Sequence, residues 1–192
     1  MRIVSGKYRG KKLKEFELDS TRPTTDKVKE SIFNLIQFEV TGAIVLDLFS
    51  GTGALGIEAM SRGAEKTFFV DSNKNAIKII NENLNGIDGE HVVINQDFLT
   101  FLDHTNEKFD IIIFDESSQC DLFSINVLLR GKKVIVVGDD EQISPQSIGT
   151  DYEEVFELVR RHLSDIPNAN LFDGNISMYE IAEQTFPKEG KL

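Results

Sequence analysis

The stretch AIVLDLFSGTGALG, residues 43–56, decides the fold. An apolar run of strand length ends in Asp47, and Gly51, Gly53 and Gly56 then fill the turn that leads into a helical pattern. Glycines at such a turn permit positive φ and let a ligand approach backbone N–H groups at a helix N-terminus. A strand, a glycine turn and a helix in this order open a doubly wound α/β sheet, whose ligands sit at the C-terminal ends of its strands.

Working outward, short apolar runs alternate with helical ones. Upstream, Val28, Ile32, Leu35 and Ile36 fall at helical spacing over residues 26–38, after Pro23 and with Thr24 or Thr25 as a cap. Downstream come a helix near residues 53–62, the strand KTFFVD, a helix near 74–84, then HVVIN and FDIIIFD, residues 109–115. The strand KKVIVVG and helices near 122–129 and 152–163 continue the series, and a last helix starts at Ser177, where Ser177 and Glu180 form a capping-box pattern. Such a βαβ series predicts one α/β domain over residues 1–192: a Rossmann-like, doubly wound, mainly parallel sheet with helices on both faces and a basic N-terminal arm. The strand that ends at Asp115 is expected beside the one that carries Asp47. In the rival order, residues 134–137 pair with Val45 and Leu46.

A length of 192 residues, 40% hydrophobic and 28% charged, suits a soluble globular protein. Cys120 is alone, so no internal disulfide forms, and it shares no zinc-like spacing with His91, His104 or His162; a reducing, cytoplasmic setting fits, with no metal. Neither a leader nor a membrane span is expected, since no run approaches the roughly 18 apolar residues a span needs. No obligate protein partner is evident.

A formal charge of −11 argues against wholesale nucleic-acid affinity, yet residues 1–29 carry nine Lys/Arg against four Asp/Glu. Arg2, Lys7, Arg9, Lys11, Lys12 and Lys14 could track a phosphate backbone of RNA, and a solvated hairpin surface fits the same charges.

The glycine pattern alone leaves the ligand open. GTGALG is also a dinucleotide fingerprint, with Asp71 twenty residues beyond Gly51 to meet ribose hydroxyls, and a purely structural turn is a third reading. Asp47 separates them: an acid beside the turn repels a pyrophosphate but can recognise the cationic amino group of S-adenosylmethionine, directly or through water.

RPTTDKVKESIFN at residues 22–34, DLFSGTGALGIEAMSRGA at 47–64, the acid of FFVDSN and the NQDF of residues 95–98 together resemble the RsmD family, bacterial enzymes that methylate the N2 of a guanine in small-subunit ribosomal RNA. The similarity covers about residues 1–114. It implies that Asp47, Gly51 and Gly53 hold the methionine end of S-adenosylmethionine, that Asp71 binds the ribose, and that Asp97 and Phe98 meet the adenine edge and face. Arg22 and Thr24 would lie at the cofactor or RNA entrance. Asp97 also reads as a helix cap, and Phe98 as core.

Methyltransferases that act on exocyclic amines follow the fourth strand with an acid or asparagine, a Pro-Pro turn and an aromatic ring that stacks on the base. Asp115 keeps the acid, the catalytic candidate here, but Glu116, Ser117, Ser118 and Gln119 follow it. A missing base stack costs about 1–3 kcal/mol, so methylation is expected to be weak or absent.

Residues 108–187 instead resemble a superfamily 1 helicase fragment that spans the Walker B acid and the next conserved strand. That likeness gives Asp115 and Glu116 a Mg²⁺ and its water, and Gly138, Asp139 and Gln142 a nucleotide-sensing role. No GxxxxGK[ST] loop accompanies them, so nucleotide hydrolysis lacks its phosphate cradle. The chain therefore reads as a recombinant of two α/β proteins, engineered rather than naturally fused. Residues 1–40 are the arm and lead-in helix, 41–114 an S-adenosylmethionine-binding half and 115–192 a helicase-like half. A nonfunctional scaffold and a nucleotide-binding module without a P-loop are the alternatives.

Overall fold

A computed structural model of the chain describes residues 1–16, 26–115 and 130–137. Arg22, Thr24, Gly138, Asp139, Gln142 and the helices expected over 122–129, over 152–163 and from Ser177 lie outside the described residues. So do the proposed Thr24 or Thr25 cap and residues 116–119.

The described elements run α1 (Asp26–Leu35), β1 (Ile44–Leu48), α2 (Ala54–Ser61), β2 (Lys66–Asp71), α3 (Lys74–Leu84), β3 (Glu90–Asn95), α4 (Phe98–His104), β4 (Phe109–Phe114) and β5 (Gly131–Val136). The strands form one sheet in the order β3-β2-β1-β4-β5. β1 pairs in parallel with β2 on one side, Asp47 opposite Phe69, and with β4 on the other, Asp47 opposite Ile113. β2 pairs in parallel with β3. The strand that leads to Asp115 is thus the neighbour of the Asp47 strand, as expected, and β5 lies beyond it at the other side of β4.

Alternation along β2 shows why helices cover both faces. Successive strand residues point to opposite faces. Phe69, fully buried, joins Ala54, Ile57 and Met60 of α2 and Ile80 and Leu84 of α3 in one core cluster. Phe68 faces the other way and meets Phe109 edge-on at 5.4 Å; Phe109 in turn lies 6.4 Å from Phe101 of α4. α4 is closed at both ends. Asp97 Oδ1 accepts the Leu99 and Thr100 N–H groups, while Arg130 donates to the Thr105 and Leu102 carbonyls at 2.9 Å each.

Residues 1–14 form a hairpin, with an antiparallel bridge between Arg2 and Lys12. It docks through Ile3 and Leu13, both buried in the α2–α3 cluster. A buried acid holds it in place: Glu58 of α2 accepts the Val4 N–H at 2.8 Å and the Ser5 N–H at 2.9 Å. Arg62 at 2.9 Å and Lys29 at 3.7 Å balance its charge. Burial lowers the Lys29 pKa against the pull of Glu58. No described helix is long and apolar enough to cross a membrane.

Candidate functional site

The C-terminal edge of the sheet is lined with acids. Asp47 is the last but one residue of β1, Asp71 ends β2, Asp97 follows β3 and Asp115 follows β4. The sheet brings together in space four aspartates that the sequence scatters across 69 positions, counted as 115 minus 47 plus one.

Asp47 is the most constrained of them, at 1% exposure. Its Oδ2 accepts the Gly56 N–H at 2.8 Å, which ties the strand end to the first turn of α2. Its Oδ1 is buried with no hydrogen-bond partner among the described residues. Desolvation pushes its pKa well up, the Gly56 N–H opposes that, and the Asp115 and Asp71 carboxylates add to the rise. A cationic group within reach of Oδ1 would reverse the penalty.

The turn between β1 and α2 is braced from within. Ser50 Oγ donates to the Asp47 carbonyl at 2.7 Å and accepts the Val70 N–H at 2.9 Å, spanning β1 and β2. The Gly51 N–H donates to Asp71 Oδ2 at 2.9 Å, and the Gly53 N–H to the Ser50 carbonyl at 2.6 Å. The sequence pattern anticipates glycine N–H groups that receive a ligand. The structure instead uses both within the protein, so what the glycines supply is backbone shape. Gly51 has φ 54°, and the nearest atoms to a Cβ there would be the Phe49 carbonyl oxygen at 3.8 Å and Phe16 Cε2 at 3.9 Å, so the left-handed backbone and not crowding requires glycine.

Asp71 is half-exposed. Its Oδ1 accepts the Asn73 N–H at 2.8 Å, so both oxygens are oriented by backbone while the carboxylate still reaches the surface. Asn95 fixes the same loop by donating to the Asp71 and Ser72 carbonyls at 2.9 Å each. Asp97 caps α4, which satisfies the alternative reading of that acid. Phe98 packs at 5.1 Å against Phe49, whose own ring meets Phe114 edge-on at 5.4 Å.

Three residues of this region carry no signal as site residues in the sequence. Phe49 has φ 55°, a left-handed conformation that costs a side-chain-bearing residue about 1–3 kcal/mol. Ser50 braces the turn. Asn83, from the end of α3, is 4% exposed and donates to the Thr52 carbonyl at 2.9 Å. Phe49 and Ser50 at least lie within the glycine motif, which draws attention to them; Asn83 has no such neighbour.

A parallel sheet in this order, with a glycine turn after β1 and acids along its C-terminal edge, defines a Rossmann-like fold of the methyltransferase type. Residues 1–150 match the family described as Conserved hypothetical protein 95, and the chain belongs to that family. YlbH of Bacillus subtilis (strain 168), an inferred rRNA methyltransferase, is 55% identical over 84 residues, 44% of this chain and 46% of that protein. Ribosomal RNA small subunit methyltransferase D of Haemophilus influenzae is 36% identical over 120 residues, 60% of this chain and 62% of that protein. The chain thus spans between about half and three fifths of the length of these relatives. Among solved structures, yhhF of Escherichia coli, an inferred methyltransferase, superposes with a TM-score of 0.54 at 32% identity, covering 60% of this chain and 63% of that one. A protein of Thermus thermophilus shares the fold at TM-score 0.59 and 24% identity, covering 71% of this chain and 84% of that one.

Proposed function

We propose that the acid-lined edge binds S-adenosylmethionine and that the chain is an S-adenosylmethionine-dependent methyltransferase of the ribosomal RNA type. The observation that carries this reading is the buried Asp47 Oδ1, unpartnered among the described residues, at the mouth of a turn whose Gly51 and Gly53 N–H groups are already used. Such an edge suits a ligand with a cationic amine and hydroxyl groups and opposes a diphosphate, so the dinucleotide alternative loses its anion cradle. Asp47 then holds the methionine end, in a turn whose shape Gly51 and Gly53 set, Asp71 the ribose hydroxyls, and Asp97 and Phe98 the adenine. For Asp97 this uses the carboxylate face left over from capping α4.

The bound cofactor supplies an electrophilic methyl on a sulfonium. In the proposed reaction it would be the methyl donor to the exocyclic N2 amine of guanine. Asp115 sits where an acid would hold that amine, beside Asp47 across the β1–β4 pair. Because Ser117 and Ser118 stand where an aromatic base platform is expected, turnover on ribosomal RNA is slow and cofactor binding is the stronger property. Arg22 and Thr24 would form the entrance. Arg9 and Lys12 are the arm cations best placed for RNA, since Arg2, Lys7 and Lys14 are engaged by Asp26, Asp88 and Glu82. A ribosomal target places the reaction in the cytoplasm.

The division into residues 41–114 and 115–192, and the helicase likeness of the second part, stay with the sequence resemblance alone. The family match runs through residue 150, across residues 108–114 where the two resemblances overlap, and favours one continuous family domain over a recombinant. The test is calorimetric titration of S-adenosylmethionine into the full chain and into Asp47→Ala. Binding that the substitution weakens supports the reading; a folded wild-type chain that binds nothing overturns it. Methyl transfer to small-subunit RNA then decides how much turnover Asp115 sustains.

A further inference from the structure

We propose that Asn83 is a positioning residue that couples the N-terminal hairpin to the cofactor turn through the Thr52 carbonyl. The inference rests on the S-adenosylmethionine reading for its affinity readout only.

Asn83 lies in the last turn of α3, and its amide is filled from two sides. Oδ1 accepts the Lys14 N–H at 2.7 Å, and Nδ2 donates to the Lys14 carbonyl at 3.1 Å and to the Thr52 carbonyl at 2.9 Å. Both amide hydrogens and one acceptor site are therefore used by a buried side chain. With Lys14 it imitates a strand neighbour, fixing the end of the hairpin. With Thr52 it fixes the residue between Gly51 and Gly53, the two glycines of the proposed methionine-end site. One planar group cannot swing to follow the hairpin without releasing the turn.

The hairpin reaches the turn at two more points. Met1 Sδ lies 3.9 Å from Thr52 Oγ1, and the ring of Phe16, just beyond the second hairpin strand, borders Gly51. At its other end the hairpin is held by Glu58, which lies on α2, the helix the same turn begins. Docking of the hairpin and the shape of the turn are thereby two readings of one set of bonds, so each stabilises the other by linkage.

The experiment compares wild type, Asn83→Ala and Glu82→Gln. Glu82 makes an exposed ion pair with Lys14 Nζ and does not touch Thr52, so it removes a hairpin contact and leaves the coupling group. In titrations with S-adenosylmethionine, Asn83→Ala is expected to bind about tenfold more weakly, the loss of a buried hydrogen-bond partner, while Glu82→Gln binds as wild type. Equal affinity in Asn83→Ala overturns the inference. Hydrogen exchange gives a readout independent of any cofactor. Asn83→Ala should speed exchange in residues 1–14 and in residues 49–56 together, measured against an unchanged β4. Acceleration in one segment alone, or equally throughout the chain, overturns it. Should wild type bind no S-adenosylmethionine, the proposed function fails and the exchange result still decides the coupling.

Discussion

Asp47 Oδ2 and the Gly56 N–H are joined at 2.8 Å, so the acid of β1 is bonded to the helix that its own turn begins. That bond holds the carboxylate in place with its other oxygen unpartnered among the described residues, a geometry that costs stability and serves recognition.

Replacing Asp47 should therefore separate the two. Asp47→Asn keeps an acceptor for Gly56 and removes a buried charge, so the ligand-free protein should gain on the order of 1 kcal/mol at pH 7 in denaturant unfolding while its affinity for S-adenosylmethionine falls. The pH dependence has a definite sign. Because the folded pKa is raised, the favourable contribution of the protonated form is complete below the unfolded value of about 3.9 and is lost as pH rises through the folded value. Asn at this position should flatten that decline. Unfolding free energies of the two proteins measured across this range should converge at low pH and separate as pH rises.

Asp97 has two jobs in this account, and serine divides them. Asp97→Ser preserves a capping oxygen for Leu99 and Thr100, so the thermal midpoint should hold, since good caps differ by only a few tenths of a kcal/mol. Cofactor affinity should drop because the carboxylate is gone. A thermal midpoint that holds together with unchanged affinity would leave Asp97 as a cap alone.

Gly56 is required by space. A Cβ there would come within 2.3 Å of Phe69 Cε1 and 3.0 Å of Asp47 Oδ2. Gly56→Ala should cost about 1–3 kcal/mol through forced repacking of β2 against α2. Gly42, with φ 75° and nothing near its Cβ position, is the contrast. Gly42→Ala should lose only about 1 kcal/mol, from the left-handed backbone. Equal losses in urea titrations would show that the Phe69 contact yields easily.

Glu58 and Lys29 should respond unequally. Glu58→Gln leaves Lys29 and Arg62 without their acid and should cost about 3–5 kcal/mol. Lys29→Met leaves Glu58 with Arg62 and two backbone donors, and should be close to neutral. Thermal unfolding of the two variants measures the asymmetry directly; comparable losses would mean that Lys29 matters as a hydrogen-bond donor to the Arg2 carbonyl more than as a charge.

Much of this molecule is legible in its sequence because the signals are local. Strand alternation, helical spacing and the glycine turn place the strands and the helices α1 to α3, and set Asp47 and Asp71 at strand ends. The strand order follows from the Asp47 half defining its own neighbour. What stays hidden depends on distant partners. Glu58 meets Val4 across 54 positions and Asn83 meets Thr52 across 31, and neither an isolated Glu nor an Asn advertises such a bond. The use of the Gly51 N–H is hidden for the same reason: GTGALG reads identically whether its amides face an anion or Asp71.

Besides the buried side chains of Ile3 and Leu13, the hairpin is held by its main chain. The N–H groups of Val4, Ser5, Lys7 and Tyr8 donate to Glu58, Glu58, the Ser61 carbonyl and Ser61 Oγ respectively. Amide hydrogens survive any exchange of side chain except to proline. Outside the buried Ile3 and Leu13, the segment is consequently free to drift in charge and bulk among descendants, or to receive a transplanted recognition surface, without coming loose from the body that carries it.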